Sequence, residues 1–288
     1  MDSSGISFTA LYTGQVWYEY GMSNHFFTNA KSKLLFEAMR PFEFAAKHSV
    51  GVNLEDILLQ RHKIIDHIIE QRMLKDGVSQ ILEIACGYSP RGYKLSQRHP
   101  NLTYIEADLP KVAKQKNRLL NENTHMTPGH KVVSCDIFSE HSSHSLNNVI
   151  TEFLNPNQPT IIITEGLVNY FTLENISLFW RKLVTQRHLR EKAWYVTDMA
   201  FAPNKSRLPS AVRSAGAILS LATGSSISFH FRDEHHLLST FNDYSFQNVT
   251  LHSPADYQRK LRLPNSKNKS LMQVVEAQIP AEVPQEVL

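Results

Sequence analysis

Residues 81–108 read ILEIACGYSPRGYKLSQRHPNLTYIEAD, and their order decides the fold. An apolar run breaks into a glycine turn, a helical stretch follows, and a second apolar run closes on Asp108. Strand, turn, helix and a strand ending in an acid is how an α/β fold holds an adenosine-bearing ligand. The turn brings bare backbone N–H groups against the ligand, and the later carboxylate accepts from ribose hydroxyls. Asp108, with Leu109 beside it, lies 21 residues after Gly87, close to the roughly 20 expected of such an acid. Glu106 shares the strand end, and spacing alone does not separate the two. Either acid could instead sit in solvent and favour the dipole of a helix opened by Pro110.

Outward from this unit, strands alternate with helices after about residue 80, which predicts a largely parallel sheet covered on both faces. Leu54, Ile57, Leu58, Ile64, Ile65, Ile68 and Ile69 fall on one helical face and predict an amphipathic helix leading into the sheet. Further on, helices are expected near 111–123, 145–154, 173–186 and 208–222. Strands are expected at Val132–Ser134, Thr160–Thr164, Trp194–Met199, Ser245–Leu251 and Leu271–Glu276. Residues 1–53, rich in aromatics such as Phe8, Tyr12, Trp17 and Phe27, read as a cap of short helices over a domain spanning 54–279. Residues 280–288 read as a flexible tail.

The 288 residues, 42% hydrophobic and 20% charged, suit one large α/β domain with an appendage or two small ones. Thirty basic against 27 acidic side chains give a net charge of +3, too mild and dispersed for a nucleic-acid surface. Cys86 and Cys135 are the only cysteines, which leaves a disulfide framework or a thiolate zinc cluster nothing to build on. Without a leader pattern or an apolar run of roughly 20 residues, the reading is a cytosolic chain with no membrane partner.

Details of the turn bear on which cofactor it holds. A dinucleotide fold needs three glycines so that its backbone can approach a pyrophosphate, but here Ala85 stands first, then Gly87, then Gly92. The spacing Glu83, Ala85, Gly87 suits instead a cofactor whose amino-acid tail passes the turn, as in S-adenosylmethionine. After the third strand, Cys135-Asp136-Ile137-Phe138 sets a carboxylate beside apolar groups, as an adenine needs, although Asp136 could simply cap the next turn. After the fourth, Glu165-Gly166-Leu167-Val168-Asn169-Tyr170-Phe171 falls where open α/β sheets bind ligands. Glu165 could hold the cofactor's ammonium, and Tyr170 or Phe171 could face its sulfonium.

Together, LEIACGYSPRG, YIEADLP followed by lysines, V-x-x-x-D and TEGLVNYF resemble the leucine carboxyl methyltransferase family, including its bacterial branch of polyketide-synthesis O-methyltransferases. The likeness covers roughly residues 55–200, and Thr9-Ala10-Leu11-Tyr12 is similar to the segment with which these enzymes begin. The resemblance implies a Rossmann-like class I methyltransferase fold, with a seven-stranded, mostly parallel sheet whose last pair includes an antiparallel strand. It also implies S-adenosylmethionine as methyl donor. In this family the helix before the first strand supplies an arginine to the cofactor carboxylate, and Arg61 matches it. By the same carry-over Gly87 lies against the methionine tail, Asp108 meets ribose and Glu165 lies near the methionine portion.

Methyl transfer from a sulfonium is an in-line displacement, so the protein chiefly aligns the reactants and excludes water. A carboxylate acceptor needs a cation rather than a base, and Arg91 and Arg40 are candidates. A hydroxyl acceptor needs a base, for which His25 is a nominee. His62 and His67 lie five apart, and His235 and His236 are adjacent, neither the i, i+4 pairing of a helical metal site, so no metal is expected. The favoured reading is an S-adenosylmethionine-dependent O-methyltransferase acting on a small molecule, monomeric or homo-oligomeric. A protein C-terminal carboxyl methyltransferase, a nicotinamide-dependent oxidoreductase and a non-catalytic binding protein remain alternatives.

Overall fold

The computed structural model describes residues 3–51, 53–140, 142–189, 192–201, 228–264 and 272–282. The expected helix near 208–222 and most of the expected tail lie outside the described residues.

Two long helices come first, α1 (Ser3–Glu19) and α2 (Ala30–Val50), where the sequence predicted several short ones. Asn29 fixes the start of α2: its side chain accepts from the Ser32 N–H while the Ser32 hydroxyl caps Asn29 in return. Pro41 lies inside α2 without ending it. The amphipathic helix α3 (Leu54–Asp76) opens on the same device, between Asn53 and Asp56, and stops at Gly77, whose φ of +70° few other residues would accept.

From α3 the chain alternates β1 (Gln80–Ile84), α4 (Arg91–Arg98), β2 (Thr103–Asp108), α5 (Pro110–Asn123), β3 (His130–Ser134), α6 (Leu146–Phe153), β4 (Thr160–Thr164), α7 (Leu173–Val184) and β5 (Ala193–Ala200). Then follow α8 (Glu234–Asp243), β6 (Gln247–His252), the single turn α9 (Pro254–Tyr257) and β7 (Met272–Ile279). The strands form one sheet in the order β3-β2-β1-β4-β5-β7-β6. Strands β1 to β5 run parallel to their neighbours, and β7 is antiparallel to both β5 and β6. This is the Rossmann-like class I methyltransferase arrangement.

Burial explains why β1 and β4 read as nearly unbroken apolar runs: helices cover both faces. On one face Leu82, Ile105, Ile162 and Tyr195 pack against Phe179 and Trp180 of α7 and Phe241 of α8. On the other, Ile81, Tyr104, Ile161 and Val196 meet Ile64, Ile65, Ile68 and Ile69 of α3. Truncating one of these isoleucines to alanine costs about 2–5 kcal/mol. The order reverses between β1 and β4, which opens a crevice at the carboxyl ends of β1, β2 and β4.

Candidate active site

A cavity of about 520 Å3 occupies that crevice, within the range of small-molecule and cofactor sites. Its floor comes from the strand ends in turn: Glu83 to Ser89 after β1, Asp108 and Leu109 after β2, Cys135 to Phe138 after β3, and Glu165 to Leu167 after β4. Arg61 reaches in from α3, and Thr9, Ala10, Thr13 and Trp17 of α1 form the opposite wall. Tyr170 and Phe171 complete one end.

The turn after β1 is shaped by backbone conformation. Ala85 takes φ +56° and Gly87 φ +47°, a left-handed region that disfavours side chains with a Cβ. The turn thereby points the Gly87 N–H at Asp108, whose Oδ2 accepts from it at 2.7 Å, while Oδ1 accepts from the Leu109 N–H at 2.7 Å. Burial pushes the Asp108 carboxyl above its ordinary value, and these two N–H groups oppose the shift. Glu106 is different. It sits two residues inside β2, fully buried, paired at 2.7 Å with Lys116 and 3.1 Å from His130 Nε2. The expected ambiguity is thus resolved in space: Asp108 lines the cavity and Glu106 does not.

Arg61, Ala85, Gly87, Leu109, Asp136, Ile137, Glu165 and Gly166 all line the cavity too, as does Glu83. The carboxylate of Glu83, however, is turned away into an ion cluster, accepting from Arg91 Nη1 at 2.5 Å and from the Tyr104 hydroxyl at 2.7 Å. Arg91 is the centre of that cluster and a correction to the sequence reading. Its side chain is fully buried at the start of α4, with Nε donating to Asp66 at 2.5 Å and Nη2 to Glu165 at 2.6 Å. Every face of the guanidinium is taken, so it has no place beside an acceptor. His25 is also corrected: it is exposed, its ring lies against Phe26, and it is not among the lining residues. Arg40 is exposed and pairs with Glu37. Of the acceptor-side candidates Tyr170 reaches the cavity, its hydroxyl 3.4 Å from Thr9 Oγ1.

Three residues of the site escaped the sequence reading. Asp198, just past the point where β5 pairs Thr197 with Thr164 of β4, accepts from Arg61 Nη1 at 3.1 Å and from the Gly166 N–H at 2.5 Å. His62 brings Nδ1 to 2.9 Å from Glu165 Oε2 and packs its ring on Trp17, centroids 4.5 Å apart. Asp66, one helical turn on, faces Arg91. Arg61 Nε also donates to Glu165 Oε1 at 3.1 Å. Burial would raise the Glu165 carboxyl, but the surrounding His62, Arg91 and Arg61 hold it well below the usual range.

These residues fit a cationic adenosine cofactor. Among the described lining residues Asp108 and Asp136 carry carboxyl groups outside the Arg91 cluster, and the one lining guanidinium, Arg61, is shared by Glu165 and Asp198. That excess of acid attracts a ligand carrying an ammonium and a sulfonium and repels a pyrophosphate. Among the described residues no group of three or more His, Cys, Asp or Glu is placed to hold a metal ion. No described helix is long and apolar enough to cross a membrane.

Solved structures share this fold. A protein of the DUF574 family from Streptomyces avermitilis superposes with a TM-score of 0.61 over 93% of this chain and 97% of its own, at 12% identity. An inferred methyltransferase from Thermobifida fusca gives 0.54 over 88% and 89%, at 13% identity. At such identities the likeness shows the fold. The chain spans 60% of the length of an inferred O-methyltransferase from Nostoc punctiforme, matched over 78% of this chain at 13% identity and a TM-score of 0.48. No curated protein matches the sequence significantly. The sequence signature of the family described as leucine carboxyl methyltransferase matches residues 21–183, more than half of the chain, and with the crevice above it places the protein in that family of S-adenosylmethionine-dependent methyltransferases.

Proposed function

We propose that the protein is an O-methyltransferase that esterifies a carboxyl group of a small molecule. The observation that carries this reading is the closed form of the cavity: α1 walls it, and Tyr170 and Phe171 give it an aromatic end. In this reading Arg61 binds the cofactor's carboxylate, Asp108 accepts from its ribose, and Asp136 and Ile137 hold the adenine. Gly87 and Gly166 keep the backbone close to the methionine portion. When bound, S-adenosylmethionine supplies an electrophilic methyl group on a positive sulfur. The chain's own part is to align, desolvate and stabilise charge, with Tyr170 and Phe171 offering aromatic faces to the cation.

A carboxyl acceptor is favoured by the family's description, leucine carboxyl methyltransferase, and a carboxylate needs no base, while among the described lining residues there is no histidine or lysine to activate a hydroxyl. A small acceptor is favoured over a protein C-terminus because Thr9, Ala10, Thr13 and Trp17 wall the cavity where a peptide would need an open groove.

Thermal shift with S-adenosylhomocysteine and with NAD tests the cofactor: a ligand at 100 times its Kd stabilises by about 2.7 kcal/mol, and a response to NAD alone overturns the assignment. Incubation with labelled methyl donor and panels of small carboxylic acids, phenols and C-terminal peptides tests the acceptor. Label released as methanol by mild base marks an ester. Base-stable label would mark an ether and refute the carboxyl reading.

A further inference from the structure

A second cavity lies apart from the first, with no lining residue in common. It measures about 250 Å3 and is framed by α3, β6, β7 and the chain just past α9. His67, Arg72 and Lys75 of α3, His252 of β6 and Lys260 converge on it, with Glu276 of β7 as the single carboxylate among the described residues of its wall.

That carboxylate is fully engaged. Glu276 Oε1 accepts from Arg72 Nε at 2.5 Å, and Oε2 lies 2.9 Å from His252 Nε2. Arg72 is held further by Asp76 at 2.9 Å and by the Trp194 ring, 4.9 Å away. Lys75 and Lys260 line the same cavity, and among its described lining residues no further carboxylate offsets them. The imbalance is felt by His67. Burial pushes its imidazole below the ordinary value and Lys260, His252 and Lys75 push the same way, against Glu70. A dianion in the cavity would offset those repulsions.

We infer that this cavity binds a phosphoryl group, carried by inorganic phosphate or by a small phosphomonoester. The ammonium groups of Lys75 and Lys260 and the imidazole of His67, on several sides of one concavity, are the donors a tetrahedral dianion uses. Ile68 and the Tyr257 ring, which lies 5.7 Å from the His67 ring, leave an apolar wall for a small organic substituent. Arg61 of the first cavity and His67 of the second are six residues apart on α3, about 9 Å at 1.5 Å per residue, and the two cavities are separate sites.

The test is a histidine-detected NMR titration of the full chain, with the His67 signal assigned by His67→Gln. The probes are inorganic phosphate and glycerol 3-phosphate, with sodium chloride and sodium acetate at matched ionic strength as controls. The expected result is a saturable shift of His67 and a rise in its pKa with the phosphate probes alone. Lys75→Gln combined with Lys260→Gln should weaken that binding by roughly tenfold or more. Circular dichroism and melting should stay unchanged, because both lysines are exposed. Tighter binding of glycerol 3-phosphate assigns a phosphorylated metabolite, and tighter binding of phosphate assigns the free ion. No saturation across the millimolar range, an equal response to chloride, or full affinity in the double variant overturns the site.

Discussion

Arg61 lies so close to Gly166 that a Cβ built on the glycine would sit 2.8 Å from Arg61 Nη2. Gly166 also has φ +68°, so an alanine there is strained and collides with the guanidinium. Gly166→Ala should lower stability by about 1–2 kcal/mol and weaken S-adenosylhomocysteine binding by displacing Arg61. Calorimetry beside a urea melt separates the two effects, and unchanged affinity would detach Arg61 from the cofactor.

Asp108→Ala removes an acceptor held by two backbone N–H groups. A hydrogen bond to a charged group is worth about 1.5–3 kcal/mol, so cofactor affinity should fall by roughly 10- to 100-fold. Isothermal titration reads it, with Asp108→Asn as the control that keeps the shape.

Arg91→Met should act on folding rather than on acceptor binding. The substitution strands Glu83 and Glu165 in a buried cluster, and breaking such pairs costs about 3–5 kcal/mol. A denaturant midpoint close to that of the wild type, with a raised KM for the acceptor, would restore the arginine to the acceptor side.

Acid should find the same cluster. The Glu165 carboxyl is held below its ordinary 4.5 in the folded chain, so its contribution to stability is present above that value and is lost as the pH falls through the lower, native one. Asp108 and Asp198 are raised by burial and act in the opposite sense, favouring the fold in acid. Glu165→Gln should therefore be less stable than wild type near about pH 7 but lose less between about pH 5 and pH 3. Urea melts at the three values check it, and parallel pH profiles would contradict it.

Both thiols should be inert in the native protein. Burial pushes the Cys135 thiol up to about 12 and raises Cys86 well above its ordinary value, leaving little thiolate to react. Mass spectrometry after iodoacetamide at about pH 8 should show neither modified until denaturant is added.

The framework was legible because its cues are local. The run from Ile81 to Asp108 carries strand, turn and acid in a fixed order, and Pro110 marks a helix start by its own chemistry. Glu165 and Gly166 could be placed because a strand as apolar as Thr160–Thr164 has to be central. The ion cluster was not legible in the same way. Arg91 reads as a turn residue until α3 is packed against it, and its partners Asp66, Glu83 and Glu165 come from three separate elements. Two signals were present nonetheless: a glutamate inside the apolar run ILEIA requires a buried partner, and Asp198 lies in a strand, next to the residue that pairs with Thr164. The aromatic N-terminus misled because its aromatics mask helical spacing, so α1 and α2 are longer than expected.

The insertion of β7 between β5 and β6 sets a timetable for biosynthesis. While the ribosome is still threading Phe201 to Leu271, the five strands already made end at β5 with a bare row of amide and carbonyl groups, open to adhesion by other nascent chains. Only when Met272–Ile279 emerges is that border sealed on both sides. A nascent chain stalled just before Met272 should cling to chaperones, and release should follow the addition of those eight residues.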